Sequence, residues 1–375
     1  MSDDIAEGIA PLLAKHDLKH LTPHIGELCT TLRTAGRLEA LKRLKSEPFR
    51  VDQLAVRQAL ANAFGKLLRD GRLPEAAPAS THAAFESFDP YLYAGGSGID
   101  AGAALLVPPE RALAGRSHRP RSMGELTTHH VLGTQLLPEA GWPDGYERAV
   151  LGAGCFWGLE KGFWRLPGVH CTTVGYAGGH TAHPMYSEVC SGLTGHAEVV
   201  QVVYDPKRLA YADLLRWFWE CHDPTQGMGQ GRDRGTQYRS TIWPLSDEHA
   251  SLAAASRDAY QLALRHAGGL RGQLSITTEL WPPPTATADT TGAKVAYFDA
   301  EEHHMQYLAR PGNAPYCTAE PLMVSLPPFD TWAPLALRGS HAPKLHDAFW
   351  KKHGPRPHCA LNRPTDPIQL RVEEV

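Results

Sequence analysis

At residue 147 the chain changes texture, and the run that follows constrains the fold more than any other feature of the sequence. ERAVLGAG, VGYAGG, AEVVQVVYDP, YRSTIWPL and SITTEL are short apolar stretches, five strand candidates separated by helical or turn-forming segments. Three helix candidates lie between them. CFWGLEKGFWRL places Phe156, Leu159 and Phe163 at helical spacing before Pro167-Gly168 stops it, and YADLLRWFWECHD is amphipathic, with an aromatic stripe that reads as core. The third, SDEHASLAAASRDAYQLALRHAGG, has Ser246 as N-cap, acids in its first turn and glycines at its end. Strands and helices are mixed, but the irregular strand spacing speaks against a steady βαβ alternation and for a layered α+β domain.

The flanks read differently. Residues 1 to about 73 are helical in pattern, with Leu60, Phe64, Leu67 and Leu68 on one face and Gly71 and Pro74 closing the run. Their acids and bases nearly balance, which favours a packing module over nucleic-acid binding. PEAAPAS, YAGGSG and VPPERALAGRSHRP then mark a linker and an arm. WPPPTATADTTGA is a loop, AEEHHMQYLA a short helix, and the tail from LPPFDTWAPLALRG onward is proline-rich and expected to wrap irregularly. The expected division is a helical extension and linker over 1–95, an arm packing on the catalytic domain over 96–146, a catalytic domain over 147–326 and the tail over 327–375.

A formal net charge of −3 gives no global attraction to nucleic acid or to an anionic membrane, and no apolar run of about 18 residues is present. The acidic start MSDDIAEG lacks the basic and apolar regions of a secretory signal, so a cytoplasmic protein is expected. Seven cysteines, Cys29, Cys155, Cys171, Cys190, Cys221, Cys317 and Cys359, form no CxxC pair, which fits a reducing compartment and thiols used individually. The doublets His129-His130 and His303-His304 lack metal-site spacing, so no metal is expected.

The stretch GCFWG sets Cys155 on the first turn of a helix that follows a strand. There the macrodipole and unpaired backbone N–H groups favour thiolate over thiol, and the cysteine is a candidate nucleophile; a small buried hydrophobe is the plain alternative. Gly152, Gly154 and Gly158 nearly supply a dinucleotide-binding turn, but the third glycine comes one residue late for GxGxxG and no carboxylate occurs between Glu160 and Glu188 to hold a ribose. A cysteine hydrolase would need a histidine base, and 20 histidines leave that possibility undiscriminated.

GCFWG, LPGV, VGYAGG, PMYSEVCSGLTGHAEVVQVVYDP, FWECHDPTQ, DRGTQYRSTI and EEHHMQYL, in this order over about 147 to 326, resemble the A-type peptide methionine sulfoxide reductases. PPERALAGR resembles the N-terminal extension of longer bacterial members, while residues 1 to about 73 and the tail lie outside the family pattern. The resemblance implies a two-layer, mixed-sheet α+β sandwich with a ferredoxin-like core, here carrying a small helical N-terminal module. It implies thiol-dependent reduction of the S-epimer of methionine sulfoxide, protein-bound or free, in the repair of oxidised proteins. No cofactor is required, thioredoxin is the electron donor, and a monomer is expected.

Methionine sulfoxide pairs a polar S=O group with a methyl, so a reductase must grip the methyl and activate the oxygen. Phe156 and Trp157 would wall the methyl. Glu198, in GHAE, matches the family's proton donor, and burial among Val199, Val200 and Val202 would favour its uncharged form. Tyr186 and Tyr238 align with two phenols that hydrogen-bond the sulfoxide oxygen, and Asp233 with a polar residue of the same pocket. Cys317 matches the first recycling cysteine, but the position of a second one holds Ser325. Cys359 in the tail is an alternative third thiol or a bystander, and Cys171, Cys190 and Cys221 read as structural. A redox-sensing or binding protein that keeps the fold, with its work done by the N-terminal helices, is the second reading.

Overall fold

The structure is a computed structural model, which describes residues 106–138, 141–268, 274–283, 297–357 and 359–370. The expected N-terminal helices, the linker, Cys29 and most of the 281–293 loop lie outside the described residues. Contacts divide the chain into two compact units, Asp100–Met185 with Gly195–Val375, and Met1–Ile99 with Tyr186–Thr194. Of the second unit, only Tyr186–Thr194 is among the described residues.

The first unit is built on a six-stranded mixed sheet. Its strands are β1 (Glu147–Ala153), β2 (Val169–Ala177), β3 (Ala197–Tyr204), β6 (Ser240–Trp243), β7 (Glu279–Leu280) and β8 (Phe298–Asp299), in the spatial order β7-β6-β1-β3-β2-β8. The β6–β7 pair is parallel and the others antiparallel. Helix α1 (Phe156–Trp164) connects β1 to β2, and α3 (Tyr211–Cys221) connects β3 toward β6. The central order β6-β1-β3-β2 with these two crossovers is the split βαβ arrangement of a ferredoxin-like core, so the expected α+β class holds. A short hairpin, β4 (Gly229–Gln230) and β5 (Asp233–Arg234), precedes β6, and α4 (Asp247–Ala267) follows it. Ser246 caps α4 by accepting from the His249 amide.

Both faces of the sheet are covered, which explains why its strands are continuously apolar rather than alternating. All eight residues of β3 are buried. On one face α1 and α3 pack against the central strands and each other. Val150, Ala177, Ala197, Val199 and Trp243 form a cluster with Trp281 and Tyr297 against it.

The described residues before β1 belong to the first unit and are tied to the rest of it by hydrogen bonds. Arg119 donates to the carbonyls of Met123 at 2.9 Å and Ala300 at 2.8 Å, Thr181 Oγ1 donates to Leu113 O at 2.8 Å, and buried His129 shares a 2.9 Å hydrogen bond with Thr172 Oγ1. Desolvation pushes the His129 ring down to about 3, so it is neutral at pH 7.

Three expectations are corrected. The tail is not wholly irregular but carries α5 (Phe329–Trp332), α6 (Asp347–His353) and α7 (Cys359–Asn362), each short because prolines break every longer run. It is fixed by Trp164 Nε1 donating to Thr365 O at 2.8 Å, the Ile368 amide donating to Arg165 O at 2.8 Å and the Lys344 amide donating to Asp213 at 2.8 Å. The expected helix in AEEHHMQYLA is two 3-10 turns, Glu302–His304 and Tyr307–Ala309, broken by Gln306 in the left-handed region at φ 48°. SITTEL contributes a strand of only two residues, because only its end reaches β6.

In the second unit, α2 (Tyr186–Cys190) is wholly buried and is closed by Ser191 Oγ donating to Glu188 O at 2.6 Å.

Candidate active site

Antiparallel pairing brings distant parts of the sequence to one end of the sheet. The C-terminal end of β1 lies beside the N-terminal ends of β3 and β6, since Leu151 pairs with Val200 and Ala153 with Ser240. Cys155 therefore leaves β1 where Glu198 enters β3 and where Tyr238 precedes β6. The turn between β1 and α1 is tight. Gly154 has φ 89°, and a Cβ there would lie 2.6 Å from the Cβ of Gln230, so both backbone conformation and space demand glycine.

Cys155 is the N-cap of α1 but makes no side-chain capping bond. That role falls to Glu198, whose Oε2 accepts from the Phe156 amide at 2.9 Å. A carboxyl on the first amide of a helix satisfies an orphan donor and meets the positive end of the macrodipole. Glu198 is 1% exposed while Cys155 is partly exposed, so the acid is shielded and the sulfur is reachable.

Phe156 is fully buried and its ring lies 6.0 Å from Tyr176 and 5.4 Å from His304. Trp157 is half-buried and stacks on Tyr307 with centroids 3.8 Å apart and planes 9° off parallel, with Tyr316 edge-on at 5.8 Å. Its Nε1 donates to His304 Nδ1 at 3.2 Å. Burial drives the His304 ring well below its usual range, which leaves it neutral with the proton on Nε2. The Tyr307 phenol is raised by burial and then by the negative charge of Cys155.

Cys317 is 8% exposed and borders an apolar cleft with Cys155, Gly158, Trp217, Cys221 and Ala360. A Cβ at Gly158 would lie 3.2 Å from the Cys317 sulfur, so the second glycine of GCFWG makes room for this thiol. Asp233 is fully buried and its carboxylate accepts from Tyr316 Oη and Thr318 Oγ1, the residues on either side of Cys317. Gln230 accepts from the Glu320 amide at 3.0 Å, so the β4–β5 hairpin grips this loop at three points.

The structure thus gathers Cys155, Phe156, Trp157 and Glu198 at the start of α1, with Cys317 on the adjoining cleft. Tyr238 is 2% exposed and ends the 3-10 turn Thr236–Tyr238 ahead of β6, and Tyr186 is buried as the first residue of α2 in the other unit. Sequence reasoning missed Tyr316 and Thr318, for which the one available signal was their adjacency to Cys317. It also missed His304 and Tyr307, placed by the left-handed turn at Gln306. Cys221, taken as structural, proves to line the cleft. Cys171 is as expected, a buried thiol pushed up to about 12 by desolvation. The side chain of Cys359 lies outside what is described. Among the described residues no group of three or more His, Cys, Asp or Glu side chains could hold a metal ion, and no helix is long and apolar enough to cross a membrane.

The family pattern described as peptide methionine sulfoxide reductase matches residues 147–325. The chain is similar to the peptide methionine sulfoxide reductase MsrA of Salinispora arenicola, at 52% identity over 60% of this chain and 93% of the relative. It is also similar to MsrA of Methylococcus capsulatus, at 48% identity over 60% and 92%. Among solved structures, methionine sulfoxide reductase A of Corynebacterium diphtheriae matches at 42% identity over 56% of this chain and 93% of that one, with a TM-score of 0.48. With about half of the aligned residues identical to relatives that it spans almost end to end, the chain belongs to the peptide methionine sulfoxide reductase family.

Proposed function

We propose that the chain reduces the S-epimer of methionine sulfoxide, in proteins and as the free amino acid, through Cys155, Glu198 and Cys317. The Cys155 thiolate attacks the sulfoxide sulfur while Glu198 delivers a proton to the oxygen. Removal of a carboxyl group from water favours its neutral acid, the form that can donate. The oxygen passes to Cys155, methionine leaves, and a cysteine sulfenic acid remains. The Cys317 thiol displaces that oxygen as water and forms the Cys155–Cys317 disulfide. A thioredoxin dithiol then reduces the disulfide by thiol exchange and is itself oxidised.

Tyr238 donates to the sulfoxide oxygen as it gains electron density, Phe156 and the Trp157 ring wall the methyl, and Asp233 holds the Cys317 loop. The enzyme works as a monomer, without metal or organic cofactor, in a reducing cytoplasm. The arm over 96–146 and the tail over 327–375 brace the 147–326 catalytic domain.

The observation that carries this reading is the Phe156 amide to Glu198 bond, which sets a buried acid against the helix start that bears the accessible thiol. The test is methionine release from a dabsylated methionine sulfoxide. Cys155→Ser should abolish it, and Cys317→Ser without thioredoxin should release about one methionine per chain in a single burst. Turnover of Cys317→Ser with thioredoxin at the wild-type rate would remove Cys317 from the cycle, and activity of Cys155→Ser would end the reading.

A further inference from the structure

Cys221 is the last residue of α3 and lies deep in the sequence between two strands, with nothing in its spacing to tie it to Cys155. The fold brings them together. Helix α3 packs on α1, and its Trp217 and Cys221, one helical turn apart, face the same apolar cleft as Cys155 and Cys317. The cleft encloses about 420 Å³ of empty space with its solvent mouth included. Three thiols therefore border one small apolar space, and none of them is in a disulfide. Cys317 and Cys221 differ in how they are held. The first sits on a loop fixed by Asp233, while the second ends a buried helix, its sulfur donating to Phe218 O at 3.3 Å.

We infer that Cys221 is a second resolving thiol, which condenses with the sulfenic acid on Cys155 when Cys317 cannot. The inference rests on the reductase reading above. The step balances without any outside reagent: the Cys221 S–H bond and the Cys155 S–OH bond break, a Cys155–Cys221 S–S bond forms, and the proton and hydroxide leave as water. The sulfenic sulfur falls from oxidation state 0 to −1 and the Cys221 sulfur rises from −2 to −1, so the step balances internally.

The test uses full-length Cys317→Ser given one equivalent of methionine sulfoxide without thioredoxin, followed by dimedone, alkylation and non-reducing peptide mapping. The expected result is about one methionine per chain, loss of two alkylatable thiols, and a linked pair of peptides bearing Cys155 and Cys221. In Cys317→Ser with Cys221→Ala, methionine should still be released and Cys155 should now carry dimedone. Methionine release from the single variant with dimedone on Cys155 and Cys221 still alkylatable would overturn the inference and leave the reductase reading intact. Linkage of Cys155 to Cys359 or any other cysteine would overturn it likewise. No methionine at all would overturn the reductase reading and the inference with it.

Discussion

At the scale of single residues, two buried glutamates are held in different ways. Glu198 faces the helix start beside Cys155, and in the proton-donor role proposed for it only another acid could replace it. Glu198→Gln keeps the shape and the acceptor for the Phe156 amide but has no proton to give; kcat should fall about 10²- to 10⁴-fold, read as steady-state methionine formation. Glu160 faces away from the cleft. Its carboxyl accepts from the Gln306 amide, Gln306 Nε2 and Thr172 Oγ1, yet burial still pushes its pKa up to about 8 from 4.5. A folded value above the unfolded one means that the stability this group contributes is complete below pH 4.5 and is lost as pH rises to 8. Glu160→Gln cannot titrate. The stability difference between wild type and this variant, from urea unfolding, should therefore shift toward the variant by about 1.4 kcal/mol per pH unit across that window and then level off.

At the scale of elements, the active centre depends on a hairpin and a loop that are each too short to hold their own shape. The β4–β5 hairpin is two residues a side, and residues 316–320 form no regular structure. Each fixes the other, through Asp233 to Tyr316 and Thr318 and through Gln230 to the Glu320 amide. Asp233→Ala should leave the first burst of methionine near its wild-type rate while slowing the disulfide step at least about tenfold, because the loop bearing Cys317 loses its anchor and with it effective concentration. Rapid-quench thiol titration separates the two steps. A loss confined to the burst would instead place Asp233 on the substrate.

At the scale of the whole molecule, the tail is tied to helices α1 and α3 rather than left as a loose end. Phe349 and Trp350 are buried, Arg216 lies 4.6 Å over the Trp350 ring, and Ala360 closes one wall of the thiol cleft. Truncation after Leu326 should lower the thermal midpoint by roughly 5–10 °C, at about 2–4 °C per kcal/mol for a domain of this size, and should speed alkylation of Cys155. An unchanged midpoint and alkylation rate would show the tail to be an ornament. The strands, the three long helices and the cysteine proposed as nucleophile were legible in the sequence because each is a local pattern: apolar runs, a 3.6-residue period, a cap, a cysteine after a strand. Element boundaries failed where a neighbour decides them, as in the two-residue strand at the end of SITTEL and the turn forced at Gln306. The sequence by itself determined the α+β class and the residues able to do thiol chemistry, since periodicity and residue type are properties of the chain, and it carried the family through motifs in a fixed order. Only the tertiary structure decided that the Phe156 amide meets Glu198, that Asp233 holds both neighbours of Cys317, and that Cys221 shares their cleft. Those meetings join residues tens of positions apart through sheet register and helix packing, and a linear pattern carries no record of which distant side chains the folded chain makes adjacent.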